Sequence, residues 1–288
     1  MLKRTFLFLV MAVLVSAPSA APKLLWETAG LAAPESVVYD SKRDRLLVSN
    51  INGAPDAKDG NGFISVVDTT GKIRNLHWIE GLDAPKGLAL HGDRLYIADL
   101  QSLVVADLET GKVVARYPGE NAKFFNDVAV DAQGNVYVSD QQGFSIHRLS
   151  AGQFKPWLVA DKHTLCSPNG LLAEASRLLV GCWTYMIDEF DDNVAGHLRA
   201  VSYDDQSISD VGDGSPQGYL DGVESDGAGG YLVTDWVAGR LLAIDAGGGV
   251  SEVLTLENGS ADHAVVTEAG VIYIPMMNND TLRAYRLD

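Results

Sequence analysis

Short, almost continuously hydrophobic runs recur along the chain, and each follows a short phrase that has a polar residue at its second position. In the first example, residues 34–39 lead through a polar turn into the apolar run 45–50. Related phrases begin near Pro85, Phe125, Pro168, Leu220 and Ala261, at intervals of about 40 to 52 residues. Runs of this length, separated by turn residues, predict β-strands.

A second hairpin follows each phrase, so that every repeat supplies four strands. Residues 102–107, a Glu-Thr-Gly-Lys turn and residues 113–117 are one such hairpin. Six four-stranded repeats at this period predict an all-β fold, a six-bladed β-propeller. A β-sandwich or an open barrel does not explain six repeats in register.

The sixth repeat has only three strands, the last of them over residues 281–287, while residues 23–28 precede the first phrase without a partner. Docking this N-terminal strand onto the last blade would remove an exposed sheet edge. We therefore expect the ring to be closed by the N-terminal strand.

The first residues have the layout of a cleavable signal peptide. Lys3 and Arg4 precede an apolar run over residues 5–15, and small residues follow to Ala21. The run is too short to cross a bilayer, and no other stretch is apolar enough. We expect a signal segment over 1–21, a single propeller domain over 22–288, and a periplasmic or secreted monomer with no membrane span after cleavage.

Net charge and cysteine content limit the partners and the redox compartment that the protein can have. The formal net charge of −16 makes nucleic acid an unlikely partner and suits a protein that attracts cations. The two cysteines, Cys166 and Cys182, could form a disulfide that closes a loop worth about 3 kcal/mol, or could be two buried thiols. Their spacing is not that of a zinc site.

One polar residue stands at the start of each predicted inner strand, where it should project into the central channel. The six ring residues are Glu35, Lys86, Asn126, Asn169, Asp221 and Asp262. Singly, each is explained as a turn residue that binds its own backbone. Together they supply carboxylate and amide oxygens, which suit a divalent cation: Ca²⁺ first, with Zn²⁺, Mg²⁺ or Mn²⁺ as alternatives.

Lys86 leaves two alternatives open. Its ammonium could take the place of the metal and organise an ion-pair network with the ring carboxylates. It could equally lie beside the cation and bind a substrate carboxylate or hydroxyl.

Two long connections open on the face where the chain enters the inner strands, over residues 50–62 and 183–196. Long loops gathered on one face often cover a site. Trp183 and Tyr185 in the second connection would form an apolar wall for an organic substrate, or would only pack over the rim of the propeller.

The ordered set of phrases resembles the gluconolactonase/regucalcin (senescence marker protein) family, with paraoxonases and diisopropyl-fluorophosphatase-like phosphotriesterases as related propellers. The resemblance rests on Pro-Glu at 34–35, Phe-Asn-Asp at 125–127, Pro-Asn-Gly at 168–170 and Leu-Asp-Gly at 220–222. It implies that Glu35 and Asn169 are metal ligands and that Asp221 is both a ligand and a catalytic base or nucleophile. Asn126 matches a position that coordinates the metal or holds substrate.

The chain departs from the family pattern at Leu220, where proline is usual, and it has Lys123 and Phe124 where the gluconolactonase branch often has an arginine. These departures bear on specificity for sugar lactones more than on metal binding.

The sequence thus predicts a metal-dependent lactonase or esterase of the gluconolactonase type that acts on a small molecule. Asp221 would take a proton from water, and His263 would assist proton transfer or simply pack within its blade. Lys86, Phe125, Asp262, Trp183 and Tyr185 are assigned to substrate binding. The alternative is a non-catalytic exported propeller that binds a ligand or a partner protein, with a structural metal or none; a role like that of strictosidine synthase is a third option.

Overall fold

The computed structural model describes residues 21–161, 163–184 and 194–287. Within these residues every regular element is a β-strand, apart from two single-turn 3₁₀ helices, Thr267–Ala269 and Met277–Asn279. The predicted signal segment lies outside the described residues except for Ala21, and Tyr185 lies outside them too. In the described ranges no helix is long and apolar enough to span a membrane.

The described chain forms six antiparallel four-stranded sheets. In chain order the strands are β1 (Lys23–Ala29), β2 (Pro34–Asp40), β3 (Arg45–Asn50), β4 (Gly62–Asp68), β5 (Ile73–Leu82), β6 (Pro85–His91), β7 (Arg94–Asp99), β8 (Ser102–Asp107), β9 (Val113–Pro118), β10 (Phe125–Val130), β11 (Val136–Asp140), β12 (Ser145–Ser150), β13 (Gln153–Val159), β14 (Pro168–Ala173), β15 (Arg177–Cys182), β16 (Leu198–Ser202), β17 (Ile208–Asp210), β18 (Leu220–Ser225), β19 (Tyr231–Asp235), β20 (Arg240–Ile244), β21 (Val250–Thr255), β22 (Ala264–Val266), β23 (Val271–Met276) and β24 (Thr281–Arg286).

Each sheet is one blade of a six-bladed β-propeller, as predicted. The inner strands are β2, β6, β10, β14, β18 and β22, and each of the first five blades continues outward through the next three strands. We call the face on which the loops leading into the inner strands open the loop face, and the other face, where the hairpins from first to second strand turn, the turn face.

The sixth blade is completed by the N-terminal strand. β1 pairs with β24, so that Lys23 lies opposite Arg286 and Ala29 opposite Thr281. An ion pair of 2.5 Å between Glu27 and Arg283 adds to this pairing. The predicted closure of the ring by the N-terminal strand is therefore confirmed.

Apolar clusters fill all six interfaces between neighbouring blades. Alternate side chains of one strand serve two interfaces: in β3, Leu46 and Val48 pack toward the sixth blade, whereas Leu47 packs toward the second. Because side chains alternate across a strand, a strand covered on both faces is apolar at nearly every position. This double burial explains the hydrophobic runs in the sequence.

Cys166 and Cys182 form a disulfide, with a Cα–Cα distance of 5.8 Å. Cys166 lies in the loop that leads into β14, and Cys182 is the last residue of β15, opposite Pro168. The bond therefore fastens the chain just before the ring position Asn169. Of the two alternatives left open by the sequence, the structure has the disulfide.

Candidate functional site

A β-bulge places the ring residue in each of the first five blades. In blade 1, Pro34 pairs with Asn50 and Val37 with Val48, so that Glu35 and Ser36 together face the single residue Ser49. The same register shift occurs at the start of the other four inner strands. An extra residue bends the strand and re-aims its side chain. The first bulge residues are Glu35, Lys86, Asn126, Asn169 and Asp221, and all are buried.

Side-chain hydroxyls satisfy the backbone of the bulge in three blades. The N–H of Ser36 donates to Ser49 Oγ, and the N–H of Gly222 donates to Thr234 Oγ1, both at 2.9 Å. Ser139 accepts from the N–H of Asp127 in the same way. A bulge leaves ladder groups unpaired, and buried N–H groups need a partner. These second-strand hydroxyls therefore hold the bulge in shape.

The aspartates that end three of the second strands fasten the loops before the ring residues. Asp99 Oδ1 accepts the N–H groups of Asp83 and Ala84, and Asp140 accepts those of Lys123 and Phe124, at 2.8 to 3.0 Å. Asp235 accepts the N–H of Tyr219 in blade 5. The repeated Asp of the sequence phrase thus positions the neighbouring ring residue, a role that sequence reasoning missed.

Glycine follows the ring residue in three blades because the adjacent inner strand occupies the space of a side chain. A Cβ at Gly170 would overlap the carbonyl oxygen of Asp221. One at Gly222 would lie 2.6 Å from Oδ1 of Asp262 and 2.7 Å from Nδ1 of His263. The inner strands therefore approach closely where the ring residues lie.

Asp127, the residue after Asn126, links two blades. Its carboxylate accepts the N–H of Val128 at 2.7 Å and, across the interface, the N–H of Leu171 at 2.6 Å. Burial raises the pKa of Asp127 and Asp262 raises it further, while the two backbone donors oppose the shift. With both oxygens engaged, Asp127 serves the structure of the ring.

The ring carboxylates share one electrostatic environment. Burial raises the pKa of Glu35 well above its usual value; repulsion from Asp221 adds to this and the charge of Lys86 opposes it. Burial, followed by repulsion from Asp262, raises the pKa of Asp221 in the same direction. A cation among these groups would oppose both shifts, because it favours the ionised form of each carboxylate.

Two buried oxygen atoms of the ring have no hydrogen-bond partner in the described structure: Oε2 of Glu35 and Oδ1 of Asn169. Buried polar atoms are rarely left unpaired, and a missing ion is one explanation. The described residues contain no group of three or more His, Cys, Asp or Glu side chains placed to hold a metal. A cation here would need amide oxygens beside two carboxylates, and an all-oxygen set of this kind fits Ca²⁺ or Mg²⁺.

Lys86 does not occupy the centre of the carboxylates. Its Nζ donates to the carbonyl oxygens of Pro55 and Ala84 at 2.9 and 3.0 Å and lies 4.3 Å from the centre of the Phe124 ring. No carboxylate of the described chain lies within ion-pair distance of it. Burial lowers the pKa of Lys86 to about 8, although Glu35 raises it. The side chain holds the loop over residues 51–61 against the ring.

Phe125 is placed differently from its sequence-based assignment to substrate. It is fully buried in the interface between the second and third blades, with its ring 4.8 Å from that of His147 and 5.7 Å from that of Phe154. The bulge turns Asn126 toward the channel, whereas Phe125, one residue earlier, still follows the blade interface. Its role is packing.

Asp262 and His263 precede β22. Ser36 Oγ donates to Oδ2 of Asp262 at 2.5 Å, so that one of its oxygens is engaged. His263 is buried, and neither ring nitrogen has a partner with hydrogen-bond geometry among the described residues. Burial lowers the pKa of His263 to about 3, and the Leu232 backbone opposes the shift. The imidazole is therefore neutral at physiological pH.

An aromatic group lies on the loop face beside the ring positions of the fourth and fifth blades. Trp183 follows β15, and its ring centre lies 5.8 Å from that of Tyr219 and 5.6 Å from that of Trp236. All three side chains are partly exposed. Tyr219 immediately precedes β18, which carries Asp221, and Trp236 immediately follows β19. Only the fold brings these two residues to Trp183. Sequence reasoning found Trp183 alone.

The fold is shared with several solved structures. A candidate gluconolactonase aligns with a TM-score of 0.69 at 15% identity, over 94% of this chain and 93% of that one. A gluconolactonase from Xanthomonas campestris gives 0.62 at 14% identity, over 95% and 99% of the two chains. A streptogramin B lyase gives 0.64 at 11% identity, over 91% and 97%. At these identities the likeness establishes the propeller fold.

Comparison with curated proteins finds no match. The SMP-30/Gluconolactonase/LRE-like family model, in contrast, matches residues 33–261, which include five of the six ring positions. That span is most of the chain and carries the bulged inner strands of the first five blades. The chain belongs to the SMP-30/gluconolactonase/LRE-like family.

Proposed function

We propose that this protein is a divalent-metal-dependent hydrolase of a small lactone or ester, with its reaction centre at the loop-face mouth of the channel. One observation carries the proposal: Glu35 Oε2 and Asn169 Oδ1 are buried without partners at equivalent bulge positions of one ring. Membership of the SMP-30/gluconolactonase/LRE-like family supports the same reaction class.

Glu35, Asn126, Asn169 and Asp221 would hold the cation, with Ca²⁺ as the first candidate. Such a cation supplies Lewis acidity toward the carbonyl oxygen of the substrate. Asp221 takes a proton from the attacking water. Without a cation, burial and then repulsion from Asp262 raise the pKa of this carboxylate. A bound cation would lower the pKa again and so keep Asp221 ionised and able to accept a proton, and it would also acidify the water.

The surrounding residues receive positioning roles. Lys86 holds the loop over residues 51–61 against the ring through the Pro55 carbonyl and thereby limits the access of water. Trp183, Tyr219 and Trp236 offer partly exposed rings to the apolar part of a substrate. His263, neutral and buried, is given no proton-transfer step.

We also infer that the protein works in an oxidising compartment, exported through the predicted signal segment. The Cys166–Cys182 disulfide supports this inference, because such bonds persist mainly in secreted and periplasmic proteins.

The experiment measures metal content and turnover together. Elemental mass spectrometry of the purified protein should find about one equivalent of a divalent cation, and titration calorimetry should find affinity weakened at least about tenfold in Glu35→Gln and Asn169→Ala. Asp221→Asn should lose about 10²-fold or more in lactone or aryl-ester hydrolysis while remaining folded by circular dichroism. Glu120→Gln, an exposed carboxylate on the loop face, is the control and should change neither.

Equal metal affinity in Glu35→Gln and the native protein would contradict the ligand set. Stoichiometric metal without turnover of any lactone, aryl ester or phosphotriester would instead indicate a binding protein. Full activity of Asp221→Asn would remove it as the base.

A further inference from the structure

A cavity lies at the turn-face mouth of the channel, beyond the ring residues, and no ring residue is among its lining. Its volume is about 560 Å³, within the range of small-molecule sites. All six blades line it with the second halves of their inner strands and the turns that follow. Tyr39, which lines this cavity, lies four positions along β2 from Glu35 in the ring, or about 13 Å.

One layer of this cavity has a regular composition. The residue three positions after each ring residue lines it, and five of the six are aliphatic. These residues are Val38, Ala89, Ala129, Leu172, Glu224 and Val265. Glu224 is thus a single carboxylate in an otherwise hydrocarbon layer.

No hydrogen bond or ion pair engages the Glu224 carboxylate in the described chain. Glu268 stands exposed at the rim of the same cavity, and none of the described residues that line it is Lys, Arg or His. The side chain is partly accessible from the cavity, yet its surroundings are apolar. Burial therefore raises the pKa of Glu224 to about 8, and repulsion from Asp262 contributes.

The lining selects among ligands by charge. Once Glu224 is ionised, an anion would be repelled by its carboxylate and by that of Glu268, and a neutral hydrocarbon would leave the charged Glu224 desolvated without a partner. An organic cation satisfies both requirements, because its charge pairs with the carboxylate and its alkyl part covers the aliphatic layer.

We propose that the turn-face cavity is a second binding site that takes a small alkylammonium ligand, with the ammonium group against Glu224 and the alkyl chain along the aliphatic walls. The site is separate from the proposed reaction centre. It does not depend on the lactonase proposal.

The test is titration calorimetry of the full mature chain with hexyltrimethylammonium, whose charge does not change with pH. Hexanol and hexanoate are the neutral and anionic counterparts. At pH 9, where Glu224 is largely ionised, we expect the cation to bind at least about tenfold more tightly than either, and Glu224→Gln to weaken it by about tenfold or more. Glu268→Gln, at the exposed rim, is the matched control and should change the affinity less than about threefold.

The pH dependence gives a second readout. Affinity should rise by up to about tenfold from pH 7 to pH 9 as Glu224 ionises, and the rise should disappear in Glu224→Gln. The other titratable groups near it are Asp262, Glu268 and the Tyr39 phenol. All three remain in that variant, so their contribution is measured separately.

Binding of hexanol as tight as that of the cation, unchanged affinity in Glu224→Gln, or no binding at millimolar concentration would each overturn the proposal. The Glu35→Gln variant has a weakened metal site at the ring. If Ca²⁺ displaced the alkylammonium ligand from this variant, Glu224 would be a metal ligand and the proposal would be overturned. Glu224→Gln should keep the metal content and turnover of the native protein. A failure at this site is therefore distinguishable from a failure of the proposed hydrolase.

Discussion

The hydroxyl of Ser36 donates a 2.5 Å hydrogen bond to the carboxylate of Asp262, and this bond joins the first blade to the sixth at the mouth of the channel. The backbone repeats the connection, since the N–H of Asp262 donates to the Glu35 carbonyl at 2.9 Å. The interface between the first and sixth blades, which we call the seam, therefore runs through the candidate site.

Ser36→Ala should weaken this seam. Loss of a buried hydrogen bond to a carboxylate costs about 1–3 kcal/mol in the free energy of unfolding. The pKa of Asp262, which burial raises to about 7 and the Ser36 hydroxyl lowers, should rise further. Urea unfolding measures the first effect, with Ser41→Ala, at an exposed turn, as the control. An unchanged free energy of unfolding would show that the bond contributes nothing to closure.

Gly170→Ala should be severely destabilising, because its Cβ would overlap the Asp221 carbonyl oxygen and force two inner strands apart. We expect a loss of more than about 3 kcal/mol, or failure to fold. Gly247→Ala is the matched control, since its Cβ would meet only Asp245 Oδ1 at 3.2 Å. Thermal unfolding of the two variants decides; similar melting temperatures would mean that the strands are less closely packed at Gly170 than the structure has them.

Removal of the disulfide in a Cys166→Ser/Cys182→Ser variant should lower the free energy of unfolding by about 2–4 kcal/mol, as expected for a loop of this length. The reducing agent dithiothreitol should destabilise the native protein by a similar amount and leave the double variant unaffected. If the native protein unfolded at the same denaturant concentration with and without dithiothreitol, the disulfide would not be formed.

Stability without added metal should fall as the pH rises from about 4.5 to 8. The folded-state pKa of Glu224 is about 8, above the unfolded value near 4.3, so the folded protein retains a proton in this range that the unfolded chain releases. The carboxylate is most compatible with the fold when protonated. Glu224→Gln removes the share that Glu224 contributes, while the other buried carboxylates with raised pKa values keep theirs. The stability of this variant relative to the native protein should therefore increase from pH 5 to pH 9. A constant difference across that range would contradict the raised pKa.

Trp236→Ala should raise KM for hydrolysis by about tenfold with little change in kcat, because a wall that contacts the unreactive part of a substrate contributes uniform binding. The exposed neighbour Val237 provides the control variant Val237→Ala. A fall in kcat at constant KM would instead place Trp236 among groups that act in the transition state.

The fold was predictable because double burial of each strand leaves a strong signal. Leu46, Leu47 and Val48 are apolar in succession only because two blades cover β3 from opposite sides. The closure was predictable because residues 23–28 had no partner and the last repeat lacked a strand.

The candidate site was predictable only in part, because bulges are not visible in a hydrophobic pattern. Phe125 and Asn126 are adjacent, yet one packs between blades and the other joins the ring. Tyr219 and Trp236 meet Trp183 only when neighbouring blades are in place. The position of Glu224 in the turn-face cavity likewise needs six strands from distant repeats to converge.

The pairing of β1 with β24 also constrains how the protein is made. The ion pair between Glu27 and Arg283 joins residues 256 positions apart, so β1 is synthesised long before its partner strand β24. Contacts this distant in sequence form slowly, and the apolar face that the first blade packs against the sixth stays uncovered until then. The ring therefore closes only after β24 has been synthesised, and until that moment β1 has no partner strand.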